Sequence, residues 1–151
     1  MRMFHLSLDV PDLPAATAFY RELFGVAPAK ERPGYAKFEL ADPPVALALQ
    51  QSGGRAGLSH LGIRVETTEE VEASSTRLAE SGLVTFDERD TTCCYARQDK
   101  VWVSDPAGNR WEVYTVLEDV EEEEEHEASS SEACCRPIAV GVGAGVGESC
   151  C

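Results

Sequence analysis

Residues able to do chemistry crowd into Thr91–Thr115, TTCCYARQDKVWVSDPAGNRWEVYT. Cys93 and Cys94 are adjacent. Neighbouring cysteines make poor staples, because a bridge between them closes a very small, strained loop. As a dithiol the pair suits a soft, thiol-seeking ion or a trivalent metalloid that accepts two sulfurs. The other reading is two small core residues, since free cysteine is commonly buried. Downstream, residues 101–104 read as a strand, 105–109 as a tight turn and 111–115 as the returning strand. Alternation puts Trp111, Val113 and Thr115 on one face of that strand and Glu112 and Tyr114 on the other. A carboxylate within an apolar strand needs a partner. Arg64 and Arg110 are candidates for a structural ion pair; a metal ion is the alternative.

Two histidines supply that alternative. In MFHLSLDV (3–10), Phe4, Leu6, Leu8 and Val10 face one way and His5, Ser7 and Asp9 the other, as in a strand with one apolar face. Asp12 is a plausible N-cap for a helix over 13–24 that carries Ala16, Phe19, Tyr20, Leu23 and Phe24 at helical spacing and stops at Gly25. Pro33-Gly34 is a turn, and 35–40 and 45–50 read as strands. The pattern then restarts. LSHLGIRVE (58–66) alternates again, with His60, Gly62 and Arg64 opposite Leu61, Ile63 and Val65. Thr68 is the expected cap of a second helix over 69–81, with Val71, Leu78 and Ala79 inward and Gly82 as its stop. Short strands are expected at 84–87, 92–96, 101–104 and 111–116.

HLSLDV at 5–10 and HLGIRV at 60–65 mark an internal repeat with an offset of 55 residues. The fold class is α+β. Each β-α-β-β-β module is too small to cover its own sheet, so two should pack as a pseudo-symmetric cup. His5 and His60 are then expected to meet near the axis, with Glu112 as the third member. Two histidines, one carboxylate and open positions suit non-haem Fe(II), and also admit Mn, Co, Ni or Zn. A single strand histidine is more often a hydrogen-bonded structural residue. Repeat-equivalent placement beside Glu112 favours ligands.

The chain has 151 residues and a net charge of −14. Residues 118–151 hold ten acidic residues and one Arg, which leaves about −5 for the first 117, an ordinary value for a domain. Nothing here would neutralise phosphates, which argues against nucleic acid. No run approaches a membrane span, and no signal-peptide pattern opens the chain, so a cytoplasmic protein is expected. The expected division is a domain over 1–118, with modules about 1–54 and 56–118, and a disordered acidic tail over 119–151. GVGAGVG (141–147) lacks the Lys-Ser/Thr of a phosphate loop. Two readings of Cys134, Cys135, Cys150 and Cys151 stand: metalloid scavenging on a flexible tether, or dispensable thiols.

Paired β-α-β-β-β modules, a histidine in the first strand of each, and DPAGNRWE before the closing strand resemble the vicinal oxygen chelate superfamily, the glyoxalase/bleomycin resistance/dioxygenase group. The likeness covers about residues 3–117. Within it, PGYAKFELADPPVALAL (33–49), LSHLGIRVE (58–66) and TTCCYARQDKVWVSDPAGNRWEVYTV are similar to the organoarsenical carbon–arsenic lyases and their cadmium-inducible relatives, the ArsI/CadI group. The resemblance implies Fe(II)- and dioxygen-dependent cleavage of trivalent organoarsenicals, methylarsenite to arsenite and aromatic arsenicals too. It implies His5, His60 and Glu112 as metal ligands, the first being Gln in some relatives, and Cys93 and Cys94 as the arsenic-holding pair. It places Tyr95 and Lys100 in the same loop, as contacts that could help close it. Members are often dimers, so a homodimer is open. The contrasting function is a non-enzymatic thiol protein that sequesters cadmium or arsenite. Such a protein needs the cysteines but not the triad, and all three triad residues are present here. Extradiol cleavage would leave the cysteine pair without a job.

Overall fold

A computed structural model describes residues 2–54 and 56–121 of the chain. The elements run β1 (Met3–Val10), α1 (Leu13–Phe24), β2 (Lys30–Arg32), β3 (Tyr35–Ala41), β4 (Pro44–Gln51), β5 (Gly57–Arg64), α2 (Thr68–Glu80), β6 (Thr85–Cys93), β7 (Ala96–Ser104) and β8 (Arg110–Asp119). They form one eight-stranded sheet, ordered β2-β3-β4-β1-β5-β8-β7-β6. This is the expected α+β architecture of two β-α-β-β-β units. In each unit the first strand lies parallel to the last, β1 with β4 and β5 with β8, and β1 and β5 join antiparallel at the centre. Among the described residues, no helix is long and apolar enough to cross a membrane. Residues 122–151, with Cys134, Cys135, Cys150 and Cys151, lie outside the described residues.

Alternation decides which side of the sheet is which. Leu6, Leu8 and Val10 of β1 pack with Ala36, Phe38, Leu47 and Leu49 beneath Leu13, Ala16, Tyr20 and Phe24 of α1. Fully burying Phe38 or Leu49 contributes roughly 1.5–3 kcal/mol each. Val65, Val71, Val101 and Val113 make the smaller core under α2. Both helices therefore cover one face of the sheet. The other face curves inward and carries His5, His60 and Glu112.

Several local expectations need correction. Phe19 and Leu23 share the apolar stripe of α1 but are 60% and 61% exposed, because the sheet contacts only the neighbouring positions on the helix. Asp12 caps α1 as expected, accepting from Ala15 N at 2.9 Å. The cap of α2 is Thr67, whose side chain accepts from Glu70 N; Thr68 instead donates to Asp99. Val71 is buried, Leu78 half-buried and Ala79 exposed. The three short strands expected between 84 and 104 are two long ones. β6 runs unbroken through a register irregularity between Glu88 and Thr91, and β7 begins at Ala96. Asp90 adopts φ 50° there, and its N–H donates to Asp99 Oδ1.

Candidate metal centre and dithiol cleft

Register builds the centre. His5 pairs with Gly62, Gly62 with Glu112, and Glu112 with Trp102, so four strands contribute to one cross-strand row. His60 stands opposite Ser7, two residues along each strand, and so faces the same side. The two Nε2 atoms lie 3.3 Å apart, and each lies close to Glu112 Oε1, at 3.5 Å from His5 and 3.6 Å from His60. All three donor atoms fall within 4.8 Å of one another. The absence of a side chain at residue 62 makes this possible. A Cβ there would sit 2.7 Å from Glu112 Cγ and 2.9 Å from Glu112 O.

The partner of the buried carboxylate is Lys100. Its Nζ forms an ion pair with Glu112 Oε2 at 3.2 Å, and both residues are 3% exposed. Arg64 pairs with Glu39 instead, and Arg110 stacks on the Trp102 ring 4.4 Å from its centroid. Burial pushes the Glu112 carboxyl up, but Lys100 and the two histidines outweigh it and hold it at about 2. Burial pushes the His5 imidazole down to about 4, against the pull of Glu112. At neutral pH the group therefore offers one carboxylate and a neutral His5, the protonation states a metal ion requires. Tyr114 packs edge-on to His5 and Trp102 edge-on to His60, which fixes both ring planes. Two imidazoles and one carboxylate oxygen, converging in a cup, fit a divalent first-row ion with positions left open.

The cysteines reach the same cleft by a turn. Cys93 ends β6 and pairs with Ala96, while Cys94 and Tyr95 form the two-residue connection with φ 55° and 59°. That is the left-handed region of a tight hairpin, usually filled by Asn or Gly, and it costs other residues roughly 1 kcal/mol or more each. Successive residues of a straight strand would point to opposite faces. The reversal at Cys94 places the two sulfurs 3.2 Å apart, in a cleft also lined by His5, His60, Lys100, Trp102 and Glu112. A strand over 92–96 would not have done this.

Tyr95 ties the hairpin tip to the first half of the chain, donating from its hydroxyl to Pro33 O at 3.0 Å. Lys30 Nζ donates to Tyr95 O at 3.1 Å and also pairs with Asp119. Lys100 does not share the loop of Tyr95; it lies within β7, pointing at Glu112. Three further residues belong to the site. Gln50 Nε2 donates to Cys94 Sγ, Trp102 Nε1 donates to the buried Glu88, and Gly62 admits Glu112. Gly62 had a signal in the sequence, since the repeat aligns it with Ser7. Gln50 and Trp102 had none.

The model of the Glyoxalase/Bleomycin resistance protein/Dioxygenase superfamily matches residues 2–113. The chain is 49% identical over 154 aligned positions to the "Trivalent organoarsenical cleaving enzyme" of Thermomonospora curvata, covering 100% of both proteins. It is 54% identical over 122 positions to the "Cadmium-induced protein CadI" of Mycobacterium tuberculosis, covering 80% of each. Homoprotocatechuate 2,3-dioxygenase from Arthrobacter globiformis shares the fold, with a TM-score of 0.62 at 24% identity, over 83% of this chain and 39% of that one. The paired modules and this breadth of identity place the chain in the glyoxalase/bleomycin resistance protein/dioxygenase superfamily, in the group it shares with the trivalent organoarsenical cleaving enzymes and CadI.

Proposed function

We propose that the protein is a carbon–arsenic lyase that uses Fe(II) and dioxygen to cleave trivalent organoarsenicals, converting methylarsenite to arsenite. The observation that carries this is one cleft holding both a dithiol, with sulfurs 3.2 Å apart, and a His/His/Glu group. A sequestering protein has no use for the second, and an extradiol dioxygenase has none for the first. The activity named for the 49%-identical relative from Thermomonospora curvata, cleavage of trivalent organoarsenicals, supports the same conclusion.

Cys93 and Cys94 bind trivalent arsenic by exchanging its oxygens for their sulfurs, which selects against pentavalent forms that lack this thiophilicity. The strained turn orients both sulfurs before arsenic arrives, so less conformational freedom is lost on binding. The arsenic then presents its remaining carbon substituent to the His5, His60 and Glu112 side of the cleft. Iron held by those three residues would supply the redox chemistry with dioxygen that no side chain can. Lys100 keeps Glu112 ionised and aims Oε1 at the histidines, while Trp102 and Tyr114 hold the imidazoles in place. Bringing the carbon–arsenic bond and the metal group together is the positioning contribution of the protein.

Anaerobic loading with Fe(II), followed by methylarsenite and air, with arsenic speciation by chromatography, tests the proposal. Arsenite should form only when iron and oxygen are both present, and Cys93→Ser and Cys94→Ser should abolish it. Unchanged methylarsenite in the complete mixture, retained tightly by the protein, would assign it to sequestration instead.

A further inference from the structure

Gln50 lies on β4 in the first half of the chain and is 4% exposed. It lines the cleft and meets the hairpin that comes from the second half, where its Nε2 donates to Cys94 Sγ over 3.2 Å. The other end of the same amide, Oε1, is buried with no hydrogen-bond partner. A buried carbonyl oxygen left unpaired is costly, and most such atoms in folded proteins find a partner. Gln98 Nε2 donates to the main-chain oxygen of Cys93 at 3.0 Å, whereas Gln50 addresses the sulfur of Cys94. An N–H aimed at a sulfur favours the thiolate, which is the nucleophile.

We propose that Gln50 is a positioning residue that makes Cys94 the first of the two thiols to attack trivalent arsenic, with Oε1 accepting a hydrogen bond from an arsenic-bound hydroxyl. This deepens the proposed function and rests on it. The capture step balances without any redox change. The Cys94 sulfur forms an As–S bond as one As–O bond breaks, and the departing hydroxide leaves as water with the proton the thiol gave up. Oε1 then holds the second hydroxyl while Cys93 repeats the exchange. Two thiols and two As–OH groups become two As–S bonds and two waters, and arsenic stays trivalent throughout.

The test uses the full chain and two variants, Gln50→Leu and Gln50→Glu. The second is nearly isosteric and sets a carboxylate against the sulfur. Iodoacetamide alkylation of Cys94 is followed by tandem mass spectrometry, which resolves Cys94 from Cys93. Phenylarsenite binding is followed by stopped-flow quenching of tryptophan fluorescence, since Trp102 lines the cleft, with circular dichroism as the check on folding. Gln50→Leu should slow Cys94 alkylation by about tenfold, the scale of one hydrogen bond to a charged group, and Gln50→Glu by more. Alkylation of Cys93 should change little, and the phenylarsenite on-rate should fall in step with Cys94. A purely structural role would not separate the two cysteines. Wild-type alkylation rates at Cys94 in both variants would overturn the inference, whatever arsenic does. A wild-type protein that fails to take up phenylarsenite would overturn instead the function on which it rests.

Discussion

The two halves of the sheet share a frame and differ at three points along it. His5 of the first half and His60 of the second hold equivalent places, 55 residues apart. Two residues on, the first half has Ser7, paired with Ala48, and the second has Gly62, paired with Glu112. Side-chain bulk has changed sides of the strand pair. Where the inner strand carries no side chain, its neighbour can carry a carboxylate; where it carries serine, the neighbour is alanine. The third difference is length. β2 has three residues before the Pro33-Gly34 turn, while β6 has nine before the Cys94-Tyr95 turn. Duplication accounts for the two histidines. The single carboxylate, the open side by Ala48 and the long hairpin bearing the dithiol arise where the symmetry is broken.

Restoring symmetry at Ala48 should have the largest effect. Ala48→Glu offers a fourth ligand from the side left open, so metal should remain bound while methylarsenite turnover falls to background, read by metal content and arsenic speciation. Turnover equal to wild type would show that Ala48 does not border the reacting position. Making the second half resemble the first, by Gly62→Ser, forces a Cβ to within 2.7 Å of Glu112 Cγ and 2.9 Å of its main-chain oxygen. The expected result is loss of roughly 1–3 kcal/mol of stability, together with a sharp drop in affinity for Fe(II) or Co(II), measured by denaturant melts and metal titration.

A smaller effect is expected at Lys100, whose register position in the first half belongs to Tyr35, by the pairings Lys100–Tyr114 and Tyr35–Gln50. Lys100→Met should weaken metal binding about tenfold, as loss of an outer-shell partner does, and Lys100→Arg should restore part of it. Equal affinity in wild type and Lys100→Met would show that Lys100 does not support metal binding. The last effect, spread over a range of pH, concerns His5 in the metal-free protein. Its imidazole titrates at about 4 when folded and near 6.5 when unfolded, because burial disfavours the charged form. The unfolded chain therefore binds the extra proton between those values, and stability falls as pH drops from 6.5 towards 4, by up to about 3 kcal/mol. Removing the group, by His5→Gln, should flatten the slope of melting free energy across this window. An unchanged slope would mean that His5 is not the group responsible.

Local pattern carried much of the architecture. The alternation of 3–10 and 58–65, the caps and stops of α1, and the repeat of HLSLDV in HLGIRV depend only on neighbours along the chain. From them follow the α+β class, two modules and the meeting of His5 with His60. Glu112 joins them because alternation from Trp111 to Thr115 already put it opposite the apolar face. What local pattern could not supply was the identity of partners across strands. The ion-pair candidates for Glu112 were Arg64 and Arg110, and the register of β7 on β8 selected Lys100. Gln50 meets Cys94 only because two halves of the chain close over one cleft. The two sulfurs converge only because residues 94 and 95 take left-handed backbone that nothing in Cys-Tyr announces. Phe19 and Leu23 carry the periodicity of a buried stripe and still face outward, since α1 touches the sheet along fewer positions than its apolar face offers. Periodicity is written along the chain by residues three or four apart. Register, turn handedness and the depth of helix packing are settled by contacts between residues tens of positions apart, and only the assembled sheet decides those.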